Sequence, residues 1–418
     1  MERIYGFGSG TQRLEVPHTH PVRELTPNEI VPNLMGVDEV MRALNQPIGS
    51  LRLNQIVKPG EKIAIVTSDI TRPMPTSLVM PPLLDELYAA GIDPKDITLV
   101  FALGSHRPHT ESEMRTLAGE RAWAEISCVD GDVNDCIHIG TTVRGTPIDI
   151  VRIVAQADRR ICLGNIEYHY FAGYSGGAKA IMPGVSTRGA IQNNHSRMVD
   201  PAACAGKIEG NPVREDIEEA ASKVGVDFIV NVVLDEHKQI VKAVCGDVTL
   251  AHREGCLFLD GLYRATISAR ADIVIASQGG APKDLNLYQT QKALDNAKHA
   301  VKKGGVVILA GACDEGLGEH VFEEWMTNSP SPASMIERIA KDFQLGGHKA
   351  AAIAMVLADA EIYLVSRMDP PLVRRMFMTP FDTIQAAFDA AAEKLGPSAS
   401  VISMPYAGST LPVCETQY

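Results

Sequence analysis

The segment Gly164–Met198, GNIEYHYFAGYSGGAKAIMPGVSTRGAIQNNHSRM, sets His169, Lys179 and His195 around a glycine-rich turn. Neither helical nor strand periodicity runs between them, so two imidazoles and an amine in such a stretch read as a site rather than as packing. The glycines invite comparison with a phosphate-binding loop. That match fails, because Ala178 stands where the last glycine belongs and Ala180 replaces the magnesium-binding hydroxyl, which argues against nucleotide hydrolysis. A turn with Gly173, Gly176 and Gly177 still lets backbone N–H groups approach a phosphate. Lys179 could serve there as phosphate ligand, general base or covalent attachment point, and the residues alone leave all three open. Pyridoxal phosphate on Lys179 would not call for the two histidines. Histidine without cysteine suits nickel, copper or zinc. With no His pair at i,i+4, a metal would be held by one or two protein ligands plus non-protein ones.

Four loops in all carry functional side chains. SDITRPMP brings Asp69 and Arg72, LGSHRPHT brings His106, Arg107 and His109, and QGGAPKDLNLYQTQK brings Lys283, Gln289 and Lys292. The fourth is the opening segment itself, which adds Glu167. Each has a plainer reading: Asp69 and Arg72 as a loop ion pair, His106 or His109 as a turn hydrogen-bonder, Lys283 and Lys292 as solvated helix charges. His348–Lys349 would simply start a helix after a glycine turn. The glycines of GFGSG (Gly6, Gly8, Gly10) lack the dinucleotide spacing and read as a hairpin or turn.

These loops need strands to position them. Short apolar runs alternate with helix-period segments, which predicts an α/β protein with two domains of largely parallel sheet flanked by helices. Strands are expected at 61–67, 96–102 and 159–163, with a strand pair at 226–234 and 239–244. A helix follows at 78–90, and Thr110 with Glu113 forms a capping box. The second block should hold strands at 272–277, 305–310 and 362–366, with helices at 284–303 and 381–395. A bridging helix is expected around 257–270. Residues 1–262 would form the N-terminal domain, 271–403 the C-terminal one, and 404–418 a tail packing back on the N-terminal domain. Ligands of open α/β sheets bind beyond the carboxyl ends of the strands, and the loops come from both blocks, so the active site is expected in an interdomain cleft.

The chain has 418 residues, 45% hydrophobic and 22% charged, with a net charge of −12. That acidity argues against a nucleic-acid binder. Eight scattered cysteines make no C-x-x-C pair and no disulfide scaffold, and no leader or apolar span is evident. A cytoplasmic protein with no membrane partner is the expectation.

The motifs SDITRP, GSHRPHT, GNIEYHYFAGYSGGAKAIMPG, NNH (193–195) and APKDLNLYQTQKA together resemble the nickel-dependent lactate racemase family, in order and spacing and over nearly the whole chain. The resemblance implies a nickel-pincer nucleotide, pyridinium-3,5-bisthiocarboxylic acid mononucleotide, whose sulfurs and a ring carbon hold nickel. It further implies that Lys179 attaches the cofactor through a thioamide and that His195 completes nickel coordination. His106 and His169 would be the acid–base pair. Arg72, Gln289, Lys292 and Tyr288 would surround the substrate, while Asp69, Gly176 and Gly177 fall on the cofactor side of the site. Enzymes of cofactor synthesis would then be maturation partners.

The implied reaction inverts C2 of a small anionic 2-hydroxy acid by reversible hydride transfer through a 2-keto acid. Arg72 and Lys292 would take the carboxylate, and two histidines would serve the two faces. Two alternatives stand beside it: a 2-epimerase of longer aldonic acids, and a nickel- or cofactor-binding protein without turnover. The second has no use for two acid–base histidines. Tyr168, Tyr288 and His348 are candidates to meet the variable end of the substrate, and His348 beside Lys349 would suit a polar or second-carboxylate group.

Overall fold

GFGSG closes a hairpin: β1 (Glu2–Phe7) and β2 (Gly10–Glu15) pair antiparallel around Gly8, whose φ of +55° suits glycine. A short strand, β3 (Val22–Glu24), follows. The computed structural model describes residues 2–415 and divides the chain into two units. One runs from Ile30 to Asp260; the other joins the residues up to Glu29 with those from Gly261 on. The first 29 residues therefore do not belong with 30–262, as the sequence reading had them. Tyr5, Phe7, Leu14 and Val16 are buried in the core of the second unit, a partnership no local pattern announces.

The unit of residues 30–260 holds β4 (Ile63–Ser68), β5 (Ile97–Ala102), β6 (Ser127–Asp130), β7 (Cys136–Thr141), β8 (Pro147–Val151), β9 (Arg159–Asn165), β10 (Tyr168–His169), β11 (Gly173–Tyr174), β12 (Phe228–Leu234) and β13 (Ile240–Gly246). Six of them form a sheet in the order β13-β12-β9-β4-β5-β6, parallel except for β13. Its central strands are largely buried and mostly apolar because both faces are covered. The helix Thr76–Ala89 buries Val79, Met80, Leu83, Leu84 and Leu87 on one face of it. The antiparallel pair β7–β8 went unforeseen, since β7 is short of a buried apolar run: none of its residues is buried.

Helix Leu250–Tyr263 carries the chain past the division, earlier than the helix expected at 257–270. The second unit adds β14 (Arg264–Ile267), β15 (Ala271–Ser277), β16 (Val301–Ala310), β17 (Glu361–Val365), β18 (Thr379–Phe381), β19 (Val401–Met404) and β20 (Leu411–Cys414). Its main sheet runs β18-β17-β16-β15-β19-β3 with every pair parallel. The helix expected to reach Lys303 stops at Ala297, because Val301 already pairs with Ala271 as strand. The described residues of the tail, 404–415, group with this unit rather than with the N-terminal domain, β20 pairing with β14, and 416–418 lie outside the described residues. Among the described residues, no helix is long and apolar enough to cross a membrane.

Candidate active site

Asp69 follows directly on β4 and is 4% exposed. His106, in the loop after β5, donates from Nδ1 to Asp69 Oδ2 at 2.7 Å, and the Thr71 hydroxyl bonds both carboxylate oxygens. Burial pushes the Asp69 carboxyl up, but the His106 hydrogen bond and charge, Thr71 and Arg72 outweigh it and hold it below its ordinary value. With Nδ1–H committed to the carboxylate, neutral His106 presents Nε2 as an acceptor. Asp69, expected on the cofactor side, is thus engaged as the partner of His106. Arg72 is exposed and makes no side-chain hydrogen bond or ion pair among the described residues.

The neighbouring His109 does different work. Its buried side chain bonds Asp130 Oδ1 through Nδ1 at 2.6 Å and accepts the Ile70 N–H at Nε2. Both ring nitrogens are spent tying the loop after β4 to the end of β6, the turn role a loop histidine usually has. Arg107 pairs with Glu113 at the surface, and the Thr110–Glu113 capping box forms as the spacing implied.

Past β9, the chain folds into the small hairpin β10–β11, where His169 faces Gly173 in register. The hydroxyls of Tyr168 and Tyr174 both donate to Asp260 Oδ1 at 2.8 Å, which pins the hairpin. His169 accepts the Ala172 N–H at Nδ1, so its neutral form carries the proton on Nε2. The bonds at Nδ1 therefore favour opposite tautomers in the two candidate acid–base histidines, with Nε2 an acceptor at His106 and a donor at His169. Phe171, 2% exposed, makes edge contacts with both His169 and His195, with ring centres 4.5 and 4.9 Å away.

His195 ends the helix Arg188–His195 and is 7% exposed. Its Nδ1 bonds Asn194 Oδ1 at 2.8 Å; the Asn194 amide in turn donates to Asp216 and to the Val213 carbonyl. Asp216 is fully buried and also accepts from Thr142 and Thr146. This chain of hydrogen bonds fixes the imidazole with Nε2 as its lone-pair end, the arrangement a metal-binding histidine needs. Among the described residues no group of three His, Cys, Asp or Glu side chains could hold a metal.

Lys179 lies on the single turn Gly177–Ala180. Its amine makes no hydrogen bond or ion pair among the described residues. Burial first, then the charges of Arg72 and Arg214, push the ammonium down to about 7, against the opposing pull of Glu167. At neutral pH a large share is the nucleophilic free amine.

The turn glycines face protein. A Cβ on Gly173 would lie 2.1 Å from the Lys207 carbonyl oxygen; one on Gly176 would meet Asn231 and Ile166, and one on Gly177 would meet His252. The Gly177 N–H already donates to Asn231 Oδ1 at 2.7 Å, so it is not the phosphate donor that the turn was expected to offer. Sequence reasoning missed the residues under this turn. Arg214 is 1% exposed and donates to the Tyr174 carbonyl, to Glu218 and to His252, while His252 donates from Nε2 to the Ser175 carbonyl at 2.8 Å. Nothing in a pattern of helix charges separates Arg214 from the exposed arginines.

In the other unit, Tyr288, Gln289 and Lys292 share the first turns of the helix Leu287–Ala297, capped by Asn286. Lys292 is exposed. The Lys349 amine donates to the Tyr288 carbonyl and sits 3.9 Å over its ring, and His348 Nδ1 accepts from Gly346. Lys349 is therefore committed to Tyr288, which removes it as the free cation a second substrate carboxylate would want. Lys283 is exposed, in keeping with a solvated charge.

A model of the lactate racemase N-terminal domain matches residues 7–206, and one of the lactate racemase C-terminal domain matches residues 266–411. The lactate racemase of Thermoanaerobacterium thermosaccharolyticum is 35% identical over 370 residues, 86% of each chain. That of Lactiplantibacillus plantarum is 32% identical over 378 residues, 88% of this chain and 89% of that one. The structure of the T. thermosaccharolyticum lactate racemase apoprotein is similar with a TM-score of 0.87 at 31% identity, covering 99% of this chain and all of that one. A Thermotoga maritima protein at 16% identity, with a TM-score of 0.63 over 91% of this chain, shares the fold.

Proposed function

Because the chain belongs to the lactate racemase family, we propose that this racemase inverts C2 of a small 2-hydroxy acid by hydride transfer assisted by a nickel-pincer nucleotide. The observation that carries the reading is the complementary presentation of two histidines, acceptor at His106 and donor at His169. A centre that is inverted needs proton exchange with its hydroxyl oxygen from two directions.

The residues present fit such a cofactor. Lys179 offers a partly neutral amine, and His195 offers Nε2 with its other nitrogen already fixed. His195 would give nickel one protein donor, and the bound nucleotide would supply the others. When bound, that group supplies the acceptor for the C2 hydride. His106 Nε2 takes the hydroxyl proton, and Asp69 stabilises the imidazolium that results. His169 holds the substrate oxygen through Nε2–H; to deliver a proton it must carry one on Nδ1 as well, at the cost of its Ala172 hydrogen bond. Arg72 supplies a cation for the carboxylate, with Lys292 and Gln289 as further substrate ligands and Tyr288 at the variable end.

The test is the intact mass of protein produced together with the cofactor-synthesis enzymes and nickel. An adduct that maps to Lys179 and disappears in Lys179→Ala supports the reading; an unmodified native chain from a producing strain sinks the cofactor assignment. Chiral analysis with lactate, malate, 2-hydroxyglutarate and aldonic acids then separates racemase from 2-epimerase.

A further inference from the structure

We infer that Arg214 and His252 are positioning residues for Lys179: they anchor the turn that carries the lysine and hold a buried cation behind its amine. The inference rests on the attachment role proposed above for Lys179 and concerns how the chain readies that amine.

Three inward anchors fix the approach to the turn. Arg214 Nη1 donates to the Tyr174 carbonyl at 3.2 Å, His252 Nε2 to the Ser175 carbonyl at 2.8 Å, and the Gly177 N–H to Asn231 at 2.7 Å. Arg214 Nη2 bonds His252 Nδ1 at 3.0 Å, so the two side chains form one floor. That floor lies directly beneath the turn, since a Cβ on Gly177 would be 2.8 Å from the His252 ring and 3.2 Å from the Arg214 guanidinium. Burial and the Arg214 charge hold His252 well below its ordinary pKa, which keeps it neutral. Glu218 is the counter-ion, but it is shared: Arg253 grips both its oxygens at 2.8 Å while Arg214 Nε holds one at 2.7 Å. Two guanidiniums against one carboxylate leave positive charge under Lys179. The charged groups facing the amine are thus Arg214 from its helix, Arg72 from the loop after β4, and Glu167 from the loop after β9. A plain structural arginine could have been seated anywhere in the core; this one donates to the lysine turn and lies close enough to disfavour its ammonium form.

The experiment uses the full chain made without the cofactor-synthesis enzymes. Lys179 is acetylated by trace acetic anhydride across pH 6–10, and its occupancy is read by peptide mass spectrometry. The native midpoint is expected near pH 7. Arg214→Gln should raise it by about one pH unit, cutting labelling at pH 7 about fivefold with full recovery at pH 10, and Arg214→Lys should restore the native midpoint. Glu218→Gln, which frees both guanidiniums, should move the midpoint down and so keeps the test decisive if Arg214→Gln does not fold. Superimposable profiles for the native, Arg214→Gln and Glu218→Gln proteins would overturn the inference. So would Arg214→Gln labelling that rises at every pH, the mark of a loosened turn and nothing more. A missing adduct on co-produced native protein would instead strike the cofactor assignment and leave these profiles standing.

Discussion

Replacing Asp69 by Asn keeps the shape of the His106 partner and removes its charge. The carboxylate is 4% exposed and 2.7 Å from the imidazole Nδ1, so the lost interaction is a charge-assisted hydrogen bond with little solvent to soften it. Such bonds contribute about 1.5–3 kcal/mol, which converts to a fall in kcat of about 10- to 150-fold if the bond strengthens as His106 gains its proton. KM should stay within about threefold, because neither oxygen of Asp69 is offered to substrate. Stability has a sign of its own. The folded-state pKa is depressed, so the contribution of Asp69 is present above about pH 4 and fades as pH falls through the folded value. Asp69→Asn should therefore be less stable than native at pH 7 and converge with it in acid. Initial rates are read by chiral chromatography and normalised to the fraction carrying the Lys179 adduct. A normalised kcat within about twofold of native would refute the claim that Asp69 readies His106. A drop in adduct with unchanged normalised kcat would return Asp69 to the cofactor side.

The histidines at 106 and 109 should part company: His106→Ala lowers kcat about 10²- to 10⁴-fold, whereas His109→Ala costs about 2–4 kcal/mol in urea unfolding and lowers kcat far less, since both its ring nitrogens are bonded within the fold and its side chain is buried. Gly173→Ala forces a Cβ to 2.1 Å from the Lys207 carbonyl at a φ of +76°, and should lower stability by roughly 2 kcal/mol or more by the same measurement. Burial raises the Asp272 carboxyl, but Lys302 and Ser400 outweigh it and hold it at about 2. Asp272→Asn should then cost up to about 2 kcal/mol at pH 7, a deficit that closes between about pH 4 and pH 2 in equilibrium unfolding.

Sequence and structure agree where the signal is local. The runs IAIVTS, ITLVFA and FIVNVVL form β4, β5 and β12 close to where their apolar character puts them, because a strand buried on both faces is mostly apolar. Capping and turn chemistry at Thr110 and Gly8 were equally legible. Partnerships across the chain were not. The hairpin at residues 2–15 gives no hint that Tyr5 packs with residues beyond 273, and β20 finds β14 only through tertiary pairing. The site shows the same divide. The residue types at His106, His169, Lys179 and His195 marked them out, but the tautomers of the histidines depend on partners the sequence does not assign: Asp69 from another loop for His106, and the local turn and helix geometry that sets Ala172 and Asn194 against His169 and His195. Arg214 and His252 were invisible because a buried polar side chain and a solvated one look alike in sequence.

The central claim is inversion by hydride transfer, and the isotope at C2 tests it most directly. Lactate deuterated at C2, the acid named in the relatives, is turned over by cofactor-loaded protein in ordinary water, and the opposite enantiomer is collected for mass analysis. The account predicts that the product keeps its deuterium, because the hydride leaves and returns without mixing with solvent. Replacement by solvent hydrogen in step with inversion would contradict it and make proton abstraction from C2 the reaction.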